Sequence, residues 1–105
     1  MKRVHEGRVY DTDTAEQLHH WESPANPGDF QHYEEALYRT KKGNYFIAGS
    51  GGPMSPYAEA LGGGSTGGSS GLRPLEFADE AVEWLEEHDG AEVILEHFSE
   101  HVEEA

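Results

Sequence analysis

The stretch His97-Phe98-Ser99-Glu100-His101 has the H-x-x-E-H spacing used by one class of zinc peptidase. Two histidines four residues apart on a helix can share a metal. A catalytic zinc also needs a third protein ligand and a formed cleft, and the four residues after His101 supply neither. Histidine and glutamate are so dense here that chance produces the pattern easily. The expectation is a helix face carrying no metal. His19 and His20 precede Trp21 and Glu22. On a helix, adjacent residues point about 100° apart, so the two imidazoles are read as surface rather than as a chelating pair. Asp11 and Asp13, in DTDT, lack the glycine and distal glutamate of a calcium loop, and Asp13 is read as a helix cap. The glycine-rich GSGGPMS of residues 49–55 has no following lysine to make a phosphate loop. No Ser–His–Asp order stands out. The chain is therefore expected to be non-enzymatic, with no catalytic residue, no metal and no cofactor.

Those residues are placed by a sequence of 105 residues, a length that fits one domain. Residues 2–4 and 8–10 read as two short strands around a turn at Gly7. In DTDTAEQLHHW, Asp13 and Glu16 have the spacing of a capping box, and Ala15, Leu18 and Trp21 give a weak helical stripe. SPANPGD is a loop. Tyr33–Thr40 and Asn44–Ala48 are rich in aromatic and β-branched residues and read as a hairpin closed by KKGN, with Gly43 at the left-handed position. Residues 49–71 hold nine of the thirteen glycines and five serines. They are expected to form a loop, flexible at about 62–71, with one or two helical turns in MSPYAEAL. After a short strand or lead-in at LRPLEF, Phe77, Ala78, Ala81, Val82 and Leu85 recur at helical spacing. Gly90 is expected to end that helix. A second helix over residues 91–105 would bury Ala91, Ile94, Leu95, Phe98 and Val102. The fold expected is α+β: a small antiparallel sheet, made of the N-terminal strands and the central hairpin, with two acidic C-terminal helices.

Charge is the strongest signal. The net charge is −14. Residues 1–75 carry nine acids and seven bases, whereas residues 76–105 carry twelve acids and neither Lys nor Arg. The twelve are Glu76, Asp79, Glu80, Glu83, Glu86, Glu87, Asp89, Glu92, Glu96, Glu100, Glu103 and Glu104. Solubility does not require such segregation, and like charges at i, i+4 each cost a helix about 0.2–0.5 kcal/mol. Such a surface repels nucleic acid and anionic membranes and attracts cationic partners. Four helical residues rise about 6 Å, so carboxylates at that spacing roughly resemble successive phosphates. The twelve acids are accordingly the candidate partner-binding surface, a decoy for a protein that grips DNA through Lys and Arg. Trp21, Tyr45 and Phe46 are candidates for added apolar contact. There is no cysteine, no signal-like apolar run in the first 30 residues and no stretch long enough to span a bilayer. These features lead to the expectation of a monomeric, cytoplasmic protein.

The segments GRVYDTDTAEQL, EEALYRTKKGNYFIAGSGGPMSPYAEALG and LRPLEFADEAVEWLEE cover most of residues 8–88. With them the chain resembles a family of small acidic phage and mobile-element proteins with a YDTDTA opening. Some proteins of this kind are anti-CRISPRs, including inhibitors of type I-C systems. The resemblance implies an acidic DNA mimic that binds the basic DNA-binding surface of a CRISPR effector, such as the large subunit of a type I complex, and blocks target recognition. It supplies no catalytic residue, and it implies a bacterial host cell as the place of action. The alternative expectation is a mobile-element accessory protein whose acidity serves solubility only.

Overall fold

The computed structural model describes residues 1–62 and 65–105. The fold is α+β, built as a ribbon, a sheet and a helical layer. β1 (Lys2–His5) and β2 (Arg8–Asp11) form the antiparallel ribbon. Glu6 and Gly7 between them both have positive φ, 50° and 75°, as a tight hairpin turn demands. β3 (Glu16–Glu22), β4 (Tyr33–Arg39), β5 (Tyr45–Gly51) and β8 (Ser69–Pro74) make the main antiparallel sheet, in the order β3-β4-β5-β8. β6 (Glu59–Gly62) and β7 (Ser65–Gly67) pair as a second small ribbon. The helical layer holds α1 (Ala78–Glu87), α2 (Ala91–His97) and a 3-10 turn at Ser99–His101.

Each face of the main sheet is covered by a different partner. Leu37, Ile47 and Leu75 meet Ala81, Val82, Trp84 and Leu85 of α1, together with Ile94 and Phe98. On the other face Phe46, Ala48 and Leu72 meet Tyr10 of the β1–β2 ribbon. β5 is consequently buried on both sides, with Phe46 at 0% and Ile47 at 1% exposure. This is why its sequence is a continuous apolar run rather than an alternation. Arg3 fixes the ribbon by donating from Nη1 to the Leu72 carbonyl, 2.7 Å away.

Several expectations are corrected. The N-terminal strands form their own ribbon rather than joining the hairpin's sheet. Residues 16–22 are strand β3, not helix. Asp11, not Asp13, shapes the turn before it, its Oδ1 accepting from the Asp13 amide at 2.9 Å. A register shift between Gln17 and His19 breaks the two-residue period, and so disguises the strand as a helix-like Ala15, Leu18, Trp21 stripe. Tyr57 lies in a turn and Glu59 begins a strand, so MSPYAEAL has no helix. Of the expected 62–71 loop, Ser65–Gly67 and Ser69–Gly71 are strand. Residues 63 and 64 lie outside the described residues. Phe77 caps α1 from outside the helix and is 62% exposed. The second helix stops at His97, and Leu95 and Val102, at 67% and 39%, lie outside the core.

The α1–α2 junction also differs from expectation. Asp89, not Gly90, takes the left-handed conformation (φ 59°). Gly90 has φ −98° and is needed for space instead. A Cβ on it would lie 2.9 Å from the Leu85 Cβ and 3.1 Å from its Cα, and Leu85 is fully buried. Asp89→Gly should hold or modestly raise stability, because glycine takes the left-handed conformation without a Cβ penalty while losing more chain entropy on folding. Gly90→Ala should destabilise it by about 1–3 kcal/mol through overpacking. Urea denaturation of both variants checks the pair, and the opposite order of stabilities would reverse these assignments.

Candidate functional site

The twelve candidate carboxylates do not form one helical column. Asp79, Glu80, Glu83, Glu86 and Glu87 lie on α1. At 100° per residue these five fall within about 120° of arc, centred opposite the stripe that buries Ala81, Val82, Trp84 and Leu85. Glu92 and Glu96 lie on α2, Glu100 in the 3-10 turn, and Glu103 and Glu104 in the irregular chain after it. Glu76 precedes α1 and Asp89 lies in the junction. Eleven of the twelve are exposed and Glu80 is half-buried. The structure thus brings the α1 acids together and disperses those at the end of the chain. Three in-helix i, i+4 repulsions remain: Asp79–Glu83, Glu83–Glu87 and Glu92–Glu96.

Little positive charge answers this face. Among the described residues the Lys and Arg ion pairs are Lys2–Asp11 and Arg39–Glu16, both outside residues 76–105. His101 Nδ1 stands 3.2 Å from Asp79 Oδ1, and His97 Nε2 3.8 Å from Glu96 Oε1. The two histidines of the HFSEH motif thus face different carboxylates. His97 ends α2, the buried Phe98 leaves helical geometry at φ −132°, and His101 sits in the following turn. The continuous helix on which the H-x-x-E-H spacing was read is therefore interrupted between the two histidines. Of the three apolar candidates, Phe46 is fully buried. Trp21 and Tyr45 are half-buried against His88 and Phe98.

A second cluster was invisible in the sequence. Glu35 on β4 has a side chain only 14% exposed. Its Oε2 accepts from the Tyr57 hydroxyl at 2.5 Å and its Oε1 from Trp84 Nε1 at 3.1 Å. His88 Nε2 lies 3.4 Å from Oε1. The other ring nitrogen of His88 donates to the Trp84 carbonyl at 2.6 Å, because a carbonyl only accepts. His88 stacks on Trp84 with centroids 4.4 Å apart, and Trp21 meets it edge-on at 4.6 Å. Tyr57 crosses the sheet over Gly49, where a Cβ would collide with its hydroxyl. The only signal in the sequence was Trp84 and His88 at i, i+4. Tyr57 stood in a presumed loop and Glu35 among many other acids.

Both oxygens of this carboxylate are engaged by other parts of the fold. Comparison of the chain with family models, with curated proteins and with solved structures gives no match. No helix among the described residues is long and apolar enough to cross a membrane.

Glu35→Ala strands the Tyr57 and Trp84 donors and should cost about 2–4 kcal/mol, with Glu35→Gln less damaging because it keeps one acceptor. Burial, with the hydrogen bond to Glu35 next, pushes the Tyr57 hydroxyl above its ordinary 10.0. The unfolded chain therefore loses this proton first. Tyr57's contribution is complete below pH 10 and is lost as pH rises from there through the folded value. Tyr57→Phe should shrink the loss of stability between about pH 9 and 11. Tyr33 and Tyr38, also raised chiefly by burial, keep their share. An unchanged alkaline slope in Tyr57→Phe would contradict this placement.

Proposed function

We propose that the protein is a non-enzymatic inhibitor that presents a carboxylate face in place of nucleic acid. The observation that carries this reading is the solvent face of α1, with five acids opposite the buried stripe, in a 30-residue segment lacking Lys and Arg. Its partner is a protein with a basic, DNA-gripping surface. The resemblance across residues 8–88 supports a CRISPR effector of type I as that partner and an anti-CRISPR as the biological class. Binding would block recognition of target DNA before any cleavage. Attraction of this kind acts over about 10 Å at 0.1 M salt and about 3 Å at 1 M, and it raises association rate and specificity.

The α1 face can be tested without disturbing the fold. Glu83, Glu86 and Glu87 are exposed, and among the described residues none is in an ion pair. Changing all three to Gln relieves like-charge repulsion, so the melting temperature should hold or rise. At about 0.5 kcal/mol per rim charge, inhibition of target-DNA binding by a purified type I-C effector should weaken roughly tenfold. Added salt should weaken the parent more steeply than the variant. Equal inhibition by a folded variant would make the acidity a solvated face only. Absence of inhibition by the parent would remove the effector as partner.

A further inference from the structure

On a helix His19 and His20 share no ligand, but β3 changes the geometry around them. Successive side chains of a strand alternate, so His20 and Glu22 project from the same face of the sheet. Glu34 of β4 is paired directly with Glu22 and projects from that face as well. One ligand atom from each of His20, Glu22 and Glu34 lies within 4.8 Å of the others, and His20 Nε2 is 3.4 Å from Glu34 Oε2. We propose that His20, Glu22 and Glu34 form a binding site for a divalent transition-metal cation of the zinc type.

Three observations carry this. The two carboxylates stand opposite each other on an antiparallel pair, where like charges repel. Among the described residues no Lys or Arg forms an ion pair with either. The donor set is one imidazole and two carboxylates, which suits zinc, whereas calcium and magnesium favour all-oxygen sites. Tetrahedral zinc with bonds of about 2.0–2.1 Å holds its ligand atoms about 3.3 Å apart, close to the His20–Glu34 separation. Rotation of the exposed Glu22 side chain closes the rest. An adjacent pocket of about 250 Å³, lined also by Thr12, Gln17 and Ser50, leaves room for water to complete the coordination. A bound cation would neutralise the Glu22–Glu34 pair and staple the edge strand β3 to β4. The site uses none of the twelve carboxylates in residues 76–105, so it stands apart from the proposed inhibitory face.

The test is calorimetric titration of zinc chloride into the untagged full chain, with zinc-dependent melting as a second readout. One zinc per chain is expected. Binding should weaken about tenfold or more in His20→Ala, Glu22→Gln and Glu34→Gln, and the rise in melting temperature should vanish with it. The His97→Ala, His101→Ala double variant should bind like the parent. All three positions are exposed or half-exposed, and circular dichroism checks that each variant folds. Loss of binding in the His97/His101 variant alone overturns the site. Parent binding no tighter than that of His20→Ala, or calcium binding as tight as zinc, overturns it too.

Discussion

The Glu35 carboxylate joins three parts of the chain. Tyr57 reaches it from the turn after β5, Trp84 from α1, His88 from the residue that ends α1, and Glu35 itself stands mid-sheet on β4. A carboxylate this little exposed must be met by donors or it opposes folding. Its partners are therefore conditions of the fold. They set which way α1 faces, since Trp84 and His88 must both point at the sheet. They also require Gly49 beneath the Tyr57 hydroxyl, because any larger residue would displace it. His19 adds to the same corner by donating from Nε2 to the His88 carbonyl at 2.8 Å. The polar cluster and the apolar core thus specify one docking of helix on sheet.

How much of this the sequence discloses depends on the range of the interactions. The hairpin of residues 33–51 and α1 are legible because their signals are local: a Gly-containing turn between β-rich runs, and one clean helical stripe. The glycine-rich region after Gly49 misleads, since composition there suggests a loop. At Gly49, Gly51, Gly52 and Gly68 a Cβ would collide with a neighbouring segment, so these glycines serve close approach instead. Gly71 pairs with Gly49 in the main sheet, and the Tyr57 ring lies over both. A glycine inside a strand often marks such an approach, but the residue that approaches cannot be read from composition. β3 misleads for a different reason, because its bulge gives a strand the apolar spacing of a helix.

The candidate surface divides along the same line. That the acids of α1 share one face was legible, because the 3.6-residue period follows from the sequence. The end of α2 was not, because no Gly or Pro marks it. The chain leaves the helix at Phe98, whose ring stays buried against Tyr45 with centroids 5.1 Å apart. Beyond that point the i, i+4 spacing of Glu92, Glu96, Glu100 and Glu104 runs into a turn and an irregular tail. The Glu35 cluster lay out of reach of the sequence for a third reason. Its members are 22 and 49 residues apart along the chain.

The fold separates the acid it needs from the acids it does not. Glu35 is held by buried donors, and the fold depends on its carboxylate. On α1, Asp79 and Glu80 sit in the first turn, where negative charge opposes the helix dipole favourably. Glu86 and Glu87 sit at the other end, where the dipole disfavours them and no basic residue occupies the last turn. The buried stripe fixes the orientation of α1, so these outward positions would accept Lys or Gln without disturbing any contact described. The cations that could have balanced them lie elsewhere. Arg8, Arg39, Lys41 and Lys42 gather around the hairpin loop between β4 and β5, where Arg39 is committed to Glu16 at 2.6 Å and Arg8 to Asn44 at 3.2 Å. Interspersed charges would keep the protein equally soluble with less repulsion, and segregation leaves the field of the α1 face uncancelled. Folding therefore supplies no reason for Glu at positions 86 and 87, and it is this surplus that the proposed cationic partner would use.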